Sequence, residues 1–223
     1  MCLNLFNIIG PVMIGPSSSH TAGAARIGRA ALCLLGDRCV KADIRFHGSF
    51  AKTYKGHGTD RAIVGGLLNM DADDVRIRRS LQMAISEGME VSFAIQSFPG
   101  AHPNTVEMAL TGAGGKRITV RCSSLGGGAI RIDEADGITL GISGENDSLI
   151  IRHSDTTGVI AAVTGMLARE GVNIASIRDF RAVQGGKAVM TIETDSSPTP
   201  ETLQALERTH AIESVAYLTR RAY

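Results

Sequence analysis

The chain has 223 residues, of which 43% are apolar, and this is enough to bury a large core in one or two compact domains. Lysine and arginine total 23 against 22 for aspartate and glutamate, so no excess of positive charge favours nucleic acid or an acidic membrane. No stretch approaches the roughly 20 apolar residues of a membrane span, and no basic leader precedes the first apolar residues. We therefore expect a cytoplasmic protein that binds neither nucleic acid nor membrane.

The first predicted elements are a helix and a strand. Apolar residues recur at helical spacing from residue 22 to residue 36, and Gly36 is expected to end this helix. Residues 41–49 alternate apolar and polar side chains, which is the period of a half-buried strand. This strand should deliver His47 to its C-terminal end.

Two more helices and a series of strands complete this part of the chain. A helix is predicted over residues 56–70, with Thr59 or Asp60 as its cap, and another over residues 72–88. Helices therefore gather early and strands late, as in an α+β fold. The short strands, separated by turn residues, are predicted over residues 90–98, 105–112, 116–124, 126–135 and 137–143.

The chain changes character near Asn146. From residue 148 the predicted order is strand, helix, strand, strand, helix, strand, the βαββαβ arrangement of a ferredoxin-like domain with two helices on one face of a sheet. We therefore divide the chain into domains at residues 1–145 and 146–223.

Four cysteines are spread along the chain without a CxxC pair. Their irregular spacing does not favour a metal or cluster site made by this chain alone, and it predicts reduced thiols in a reducing compartment. These residues are Cys2, Cys33, Cys39 and Cys122.

The segment GPSSSHTAG, residues 15–23, places three hydroxyls and a histidine at the start of the first helix. A helix start offers unpaired N–H groups and partial positive charge, which suit a carboxylate or phosphate. One serine is expected to cap the helix while the others offer hydroxyls to a ligand. The helix dipole should lower the pKa of His20, so that a neutral imidazole can accept a proton. The serines are Ser17, Ser18 and Ser19.

Two later segments add polar chemistry to loops, where functional residues concentrate. HGSFAKTYKGHGTD, residues 47–60, forms a predicted strand–loop–helix junction, and HPNT, residues 102–105, forms a proline-fixed turn. Four of the six histidines lie in these segments or in the serine run, namely His20, His47, His57 and His102.

Several interpretations of these residues remain open. The serine run could be an ordinary capped helix with a chance histidine. A serine nucleophile is disfavoured because GxSxG is absent, and a phosphate loop because GxxxxGK[ST] is absent. A histidine-ligated metal site would lack an HxxxH pair. The remaining interpretation is a polar pocket for an amino or hydroxy acid that something outside this chain completes.

Four ordered motifs resemble a known family over essentially the whole chain. GPSSSHTAGAARIGR, HGSFAKTYKGHGTD, HPNT and SLGGGAI, followed by the βαββαβ tail, resemble the beta chain of bacterial iron-sulfur L-serine dehydratase. The first half is similar to the beta domain of that family, which is itself similar to the allosteric substrate-binding domain of some phosphoglycerate dehydrogenases. The tail resembles an ACT domain, a regulatory domain that often binds amino acids.

The resemblance implies a lyase subunit. In this family L-serine loses water, the aminoacrylate tautomerises, and hydrolysis gives pyruvate and ammonia. A [4Fe-4S] cluster, ligated by cysteines of an alpha subunit, acts as a Lewis acid on the substrate hydroxyl. The present chain would ligate no metal and would lend polar groups at the interface with that iron-sulfur alpha subunit.

The resemblance also implies site residues. The shared site would be faced by the serine run, whose residues would hold the carboxylate and amine of L-serine, namely Ser17, Ser18, Ser19, His20 and Thr21. His57 is the second candidate for proton handling. The residues expected to hold or orient L-serine are Thr21, Ser49, Thr59, Asp60 and Asn104.

In the tail, HSDTTGVIAAV resembles the ACT ligand loop, where a glycine at a helix start permits close backbone approach. A dimerisation sheet without ligand stays open as the alternative, and self-association through the ACT sheet is expected. RNA binding is disfavoured because the predicted central strands offer only Phe180 as an aromatic residue. The residues implied to contact a regulatory ligand are Asp155, Thr157, Gly158 and Asn173.

Two rival functions remain. One is a stand-alone amino-acid-binding regulatory protein without catalytic activity. The other is a homodimeric hydrolase built on Ser17 to Ser19.

Overall fold

A computed structural model describes residues 13–181 and 183–220, and Cys2 lies outside these ranges. The chain divides into two compact units after Gly137. The domain boundary near Asn146 stays a prediction. Both units mix helices and strands, which confirms the predicted α+β class.

The first unit places its helices on a mixed sheet. One π-helical turn, Ser18–Ala22, continues directly into the first α-helix. The strand order within this unit is β2-β1-β3-β4-β5. Among these five strands the β1–β2 pair is parallel and the other neighbours are antiparallel. The elements are α1 (Gly23–Leu35), β1 (Cys39–Phe46), α2 (Gly48–His57), α3 (Thr59–Leu67), a 3-10 turn (Val75–Arg79), α4 (Ser80–Ser86), β2 (Glu90–Ile95), β3 (Thr105–Gly112), β4 (Arg117–Gly126) and β5 (Ala129–Ala135).

Helix α1 confirms the predicted apolar spacing. Its buried face consists largely of alanines with Ile27 and Leu35, and it ends at Gly36 in the left-handed conformation (φ 63°), as expected. Small side chains on this face allow other backbones to approach closely.

Helix α2 was not predicted. Residues 47–60 were interpreted as a strand–loop–helix junction because their polar sequence carries little helical periodicity, and only Phe50 is buried in α2. The chain turns out of β1 at Gly48 (φ 57°), where an added Cβ would overlap the carbonyl oxygen of Pro103.

Two further expectations were wrong in detail. The N-cap of α3 is Gly58 (φ 70°), and Thr59 and Asp60 lie inside the helix without capping it. The helix predicted over residues 72–88 is interrupted, because Arg79 leaves the α conformation (φ −115°, ψ 10°) between the 3-10 turn and α4.

A row of alternating charges crosses four strands of the first sheet. The row consists of directly opposed residues on β1, β3, β4 and β5, namely Arg45, Glu107, Arg121 and Glu134. The N–O distance is 2.9 Å from Arg45 to Glu107, 2.7 Å from Arg121 to Glu107 and 3.0 Å from Arg121 to Glu134. Glu107 is buried between its two arginines. A slip of one residue would bring these charges onto the opposite face, so the row helps to fix the strand register.

Helices α1 and α3 pack through glycines. A Cβ added to Gly28 would overlap the carbonyl oxygen of Ile63, and one added to Gly66 would overlap that of Ala25. The helix backbones therefore touch at a distance that only glycine permits.

We predict that Gly66→Ala lowers the free energy of unfolding by about 1–3 kcal/mol or more, because backbone atoms of α1 must move to admit the methyl group. Urea unfolding followed by circular dichroism measures this change. Gly56→Ala is the matched control, because no atom lies within 4 Å of an added Cβ there. Equal stability of the two variants would contradict the proposed close contact.

The second unit confirms the predicted βαββαβ order. Its four-stranded sheet has the order β10-β7-β9-β8 with antiparallel neighbours, and α5 and α6 pack on a core that includes Leu149, Ile151 and Val163. Every helix among the described residues is too short or too polar to cross a membrane. The elements are β6 (Ile138–Ile142), β7 (Asp147–Ser154), α5 (Val159–Arg169), β8 (Ile174–Arg181), β9 (Lys187–Thr194), α6 (Pro200–Glu207) and β10 (Ile212–Leu218).

Candidate active site

Ser17 begins the helical segment. Its backbone is extended, and its Oγ accepts a hydrogen bond from the His20 backbone N–H at 3.2 Å. The prediction that one serine of the run provides the cap is therefore confirmed. Ser18 and Ser19 are partly exposed, so their hydroxyls remain accessible to a ligand.

His20 is held by hydroxyls on both sides of its ring. Ser17 Oγ lies 3.3 Å from Nδ1, and Ser49 Oγ lies 3.3 Å from Nε2. A serine hydroxyl can donate to one ring nitrogen or accept from the other, so this pair suits a neutral imidazole. The ring also makes edge contacts with Phe50 and His57, at centroid distances of 5.1 and 4.9 Å.

The pKa of His20 lies below its usual value, in the predicted direction but for different reasons. Burial is the larger cause, and the neighbouring His57 adds electrostatic repulsion against a second positive charge. The helix dipole invoked from the sequence is not among these causes. His20 is only 9% exposed, and this burial favours the neutral form, which can accept a proton.

His57 ends helix α2 and lies against His20. Its Nδ1 is buried and has no hydrogen-bond partner among the described residues. Thr21, which is buried, donates its hydroxyl to the His57 carbonyl oxygen at 3.5 Å and joins the serine run to the end of α2.

The first turn of α3 brings two more predicted residues beside His57. Thr59 is fully buried, and its Oγ1 also lacks a partner among the described residues. Asp60 accepts a hydrogen bond from the Arg61 N–H at 2.8 Å, and burial raises its pKa. Unpartnered buried polar atoms are rare, so a water or ligand is the usual explanation for them.

Asn104 reaches the serine run indirectly. It accepts from the Ser124 N–H at 3.0 Å, and its Nδ2 donates to the Ser124 carbonyl at 3.4 Å. Ser124 is fully buried, its Oγ has no partner among the described residues, and an added Cβ on Gly23 would overlap that atom. Sequence reasoning missed Ser124, although it is the serine of the SLGGGAI motif.

The structure thus joins most of the predicted residues of the first unit. Contacts link five of them into one cluster, namely Ser17, His20, Thr21, Ser49 and His57. Thr59 and Asp60 follow His57 in the chain after Gly58. Ser19 lies beside the glycine turn after Ser124, 3.7 Å from the position of a Cβ on Gly126. In contrast, His47 braces the backbone by accepting from the Phe98 N–H at 3.1 Å.

The predicted regulatory residues do not converge within one chain. Asp155, which follows β7, accepts from Arg181 Nη1 at 2.7 Å and the Gly185 N–H at 2.9 Å, and these bonds lower its pKa. Thr157 and Gly158 (φ 96°) follow in the same loop. Asn173 precedes β8 at the opposite end of the sheet, on the order of 20 Å away by strand rise. It lines a groove of about 460 Å³ along α5.

The described cysteines do not fit an iron–sulfur cluster. Cys33, Cys39 and Cys122 are free, and burial raises the pKa of each thiol, which disfavours the thiolate that ligates iron. No group of three or more His, Cys, Asp or Glu side chains in residues 13–181 and 183–220 is arranged to hold a metal ion.

We predict that His57→Gln raises the pKa of His20, because the electrostatic repulsion disappears while burial keeps the value below about 6.5. Folding favours neutral His20, so its contribution to stability is present above about pH 6.5 and decreases as the pH falls below that value. Histidine NMR titration measures the shift. The control His210→Gln alters an exposed residue outside the cluster. An unchanged His20 pKa in His57→Gln would rule out this electrostatic coupling.

Two family models match the chain. The model for the serine dehydratase beta chain matches residues 2–85, and the model for the ACT domain matches residues 148–211. The fold and these matches define a protein that joins a serine dehydratase beta domain to a C-terminal ACT domain.

The relatives extend this match to nearly the full chain. The chain is 43% identical to the "probable L-serine dehydratase, beta chain" of Bacillus subtilis, across 92% of this chain and 93% of that protein. It is 36% identical to the L-serine dehydratase beta chain of Peptoniphilus asaccharolyticus, across 90% of each. D-3-phosphoglycerate dehydrogenase of B. subtilis is 28% identical across 68% of this chain and 29% of its own length. The chain belongs to the family of L-serine dehydratase beta chains, which confirms the resemblance stated from the motifs.

Proposed function

We propose that this chain, together with an alpha subunit, converts L-serine to pyruvate and ammonia. The observation that carries the proposal is the contact of the buried His20 with His57, next to serine hydroxyls and to polar atoms that have no partner among the described residues. Elimination of water from serine needs a base for the Cα proton and donors near the leaving hydroxyl. A neutral imidazole next to a second histidine and several hydroxyls supplies groups of both kinds.

The proposed reaction requires no oxidant or reductant. The Cα–H bond breaks as a base takes the proton, the Cβ–O bond breaks, and the hydroxyl leaves as water. The resulting aminoacrylate tautomerises to an imine, which a water molecule hydrolyses to pyruvate and ammonia. Within this proposal His20 accepts a proton, while Ser17 and Ser49 orient its ring.

The remaining predicted residues have supporting roles in this proposal. Ser18, Ser19 and Thr21 lie at the same helix start, and Thr59 and Asp60 lie close to His57 in the chain. Asn104 would act through its contacts with Ser124. In this proposal the partner alpha subunit would hold the [4Fe-4S] cluster, which would supply the Lewis acid for the substrate hydroxyl. A cytoplasmic location remains part of the same proposal.

Reconstitution tests this function. We expect the full chain, mixed anaerobically with its iron-sulfur partner, to form pyruvate from L-serine, as a lactate dehydrogenase-coupled assay measures. His20→Gln and His57→Gln should each lower kcat by about 100-fold or more, the usual contribution of a positioned acid or base. His210→Gln is the control. Wild-type turnover in both histidine variants would refute the site, and serine binding without turnover by any mixture would favour the stand-alone regulatory protein.

For the tail we propose self-association through the ACT sheet, with Asp155, Thr157 and Gly158 as the loop facing a regulatory amino acid. β8 lies at an edge of the four-stranded sheet, and Ile177 on this strand is 41% exposed. An uncovered strand edge readily pairs with a second chain. Asn173 would contribute to ligand binding only from a neighbouring copy, because it lies at the other end of its own sheet.

We predict that Ile177→Asp weakens self-association of the chain, measured by sedimentation velocity over a concentration series. Val183→Asp is the matched control, because Val183 is 69% exposed but lies in the turn after β8. An unchanged sedimentation profile for Ile177→Asp would exclude this edge as the interface.

A further inference from the structure

A cavity of about 290 Å³ adjoins His57 of the histidine pair. Its walls come from three segments, namely residues 14–16, residues 56–58 with Arg61, and residues 77–78. This volume lies at the lower end of the range of about 300–1,000 Å³ that is typical of small-molecule sites, so the space suits a ligand as small as an amino acid. His57 belongs to this wall and also contacts His20, so the cavity and the proposed reaction centre share a residue.

The cavity carries positive charge. Arg61 and Arg78 line it, and none of its described lining residues is acidic. Asp60, the nearest carboxyl along the chain, is turned into the protein, where it is only 7% exposed. Asp74, which precedes Arg78 in the same segment, is paired with Arg76 at 2.5 Å. Guanidinium groups bind carboxylates through paired, charge-assisted hydrogen bonds.

Buried contacts position the backbone segments that carry the two arginines, whose own side chains are exposed. Ser80 is fully buried and donates its hydroxyl to the Arg61 carbonyl oxygen at 2.7 Å, which ties the 3-10 turn to the first turn of α3. Ile77, next to Arg78, is also buried and packs against Gly65, where an added Cβ would lie 2.9 Å from its Cγ1. The Ile14 N–H donates to the Ala72 carbonyl at 2.9 Å and fixes the opposite wall.

We infer that Arg61 and Arg78 bind the carboxylate of the amino-acid substrate and thereby present its Cα to His57 and His20. This inference rests on the proposed function and changes one of its details, because the sequence assigned the carboxylate to the start of the first helix. Arg61 and Arg78 are thus substrate-binding residues that sequence reasoning missed. A signal existed only for Arg61, which follows the GHGTD motif directly.

The first experiment measures steady-state kinetics of the reconstituted complex. Arg61→Ala and Arg78→Ala should each raise KM for L-serine by about 10- to 100-fold, the loss of charge-assisted hydrogen bonds, while kcat changes only a few-fold. Arg79→Ala is the matched control, because it removes the same charge from the neighbouring position outside the cavity. Added guanidinium ion should lower the raised KM of Arg61→Ala part of the way toward the wild-type value. Wild-type KM in both cavity variants would overturn the inference.

The second experiment needs no activity. Arginine Nε–Hε signals of the full chain are followed by NMR during titration with L-serine, L-serinamide and inorganic phosphate. The signals of Arg61 and Arg78 are assigned as those that disappear in Arg61→Ala and Arg78→Ala. In the wild-type chain we expect these two signals to shift with L-serine but not with serinamide, which lacks a carboxylate. Shifts with phosphate alone would identify an inorganic anion site and refute carboxylate binding. A complex that forms no pyruvate would refute the proposed function, whereas this titration would still decide the ligand of the cavity.

Discussion

The close contact of α1 with α3 determines the rest of the candidate site. Gly28 and Gly66 let the two backbones touch, and this approach brings the start of each helical segment to the same place. His20 and His57 lie 37 positions apart in the chain, yet their rings meet at a centroid distance of 4.9 Å. A methyl group at either glycine would separate the helices and with them the two histidines.

Burial then sets the chemistry of the pair. Burial disfavours the charged form of His20, and a second positive charge on the adjacent His57 would repel it, so both effects lower the pKa of His20 and favour its neutral form. The serine hydroxyls around it adapt to either tautomer because they can donate or accept. Buried atoms of His57, Thr59 and Ser124 find no partner among the described residues, and such atoms are usually satisfied by water or a ligand.

The two units differ in what holds them together. The first unit combines glycine-mediated helix packing with a row of alternating charges, from Arg45 to Glu134, across its sheet. The second unit relies on an aliphatic core between its sheet and two helices.

Helix α1 with its end at Gly36, the βαββαβ tail and the family membership could all be predicted from the sequence, because periodic apolar residues, glycine signals and ordered motifs are local features. The sequence could not reveal α2, whose polar residues lack that period, nor the interruption at Arg79. The three-dimensional fold was needed to see that His20 contacts His57, that Asn173 lies far from Asp155, and that Arg61 shares a cavity with Arg78. Such contacts depend on how closely backbones approach, and this is fixed by packing between segments distant in the chain rather than by any local pattern.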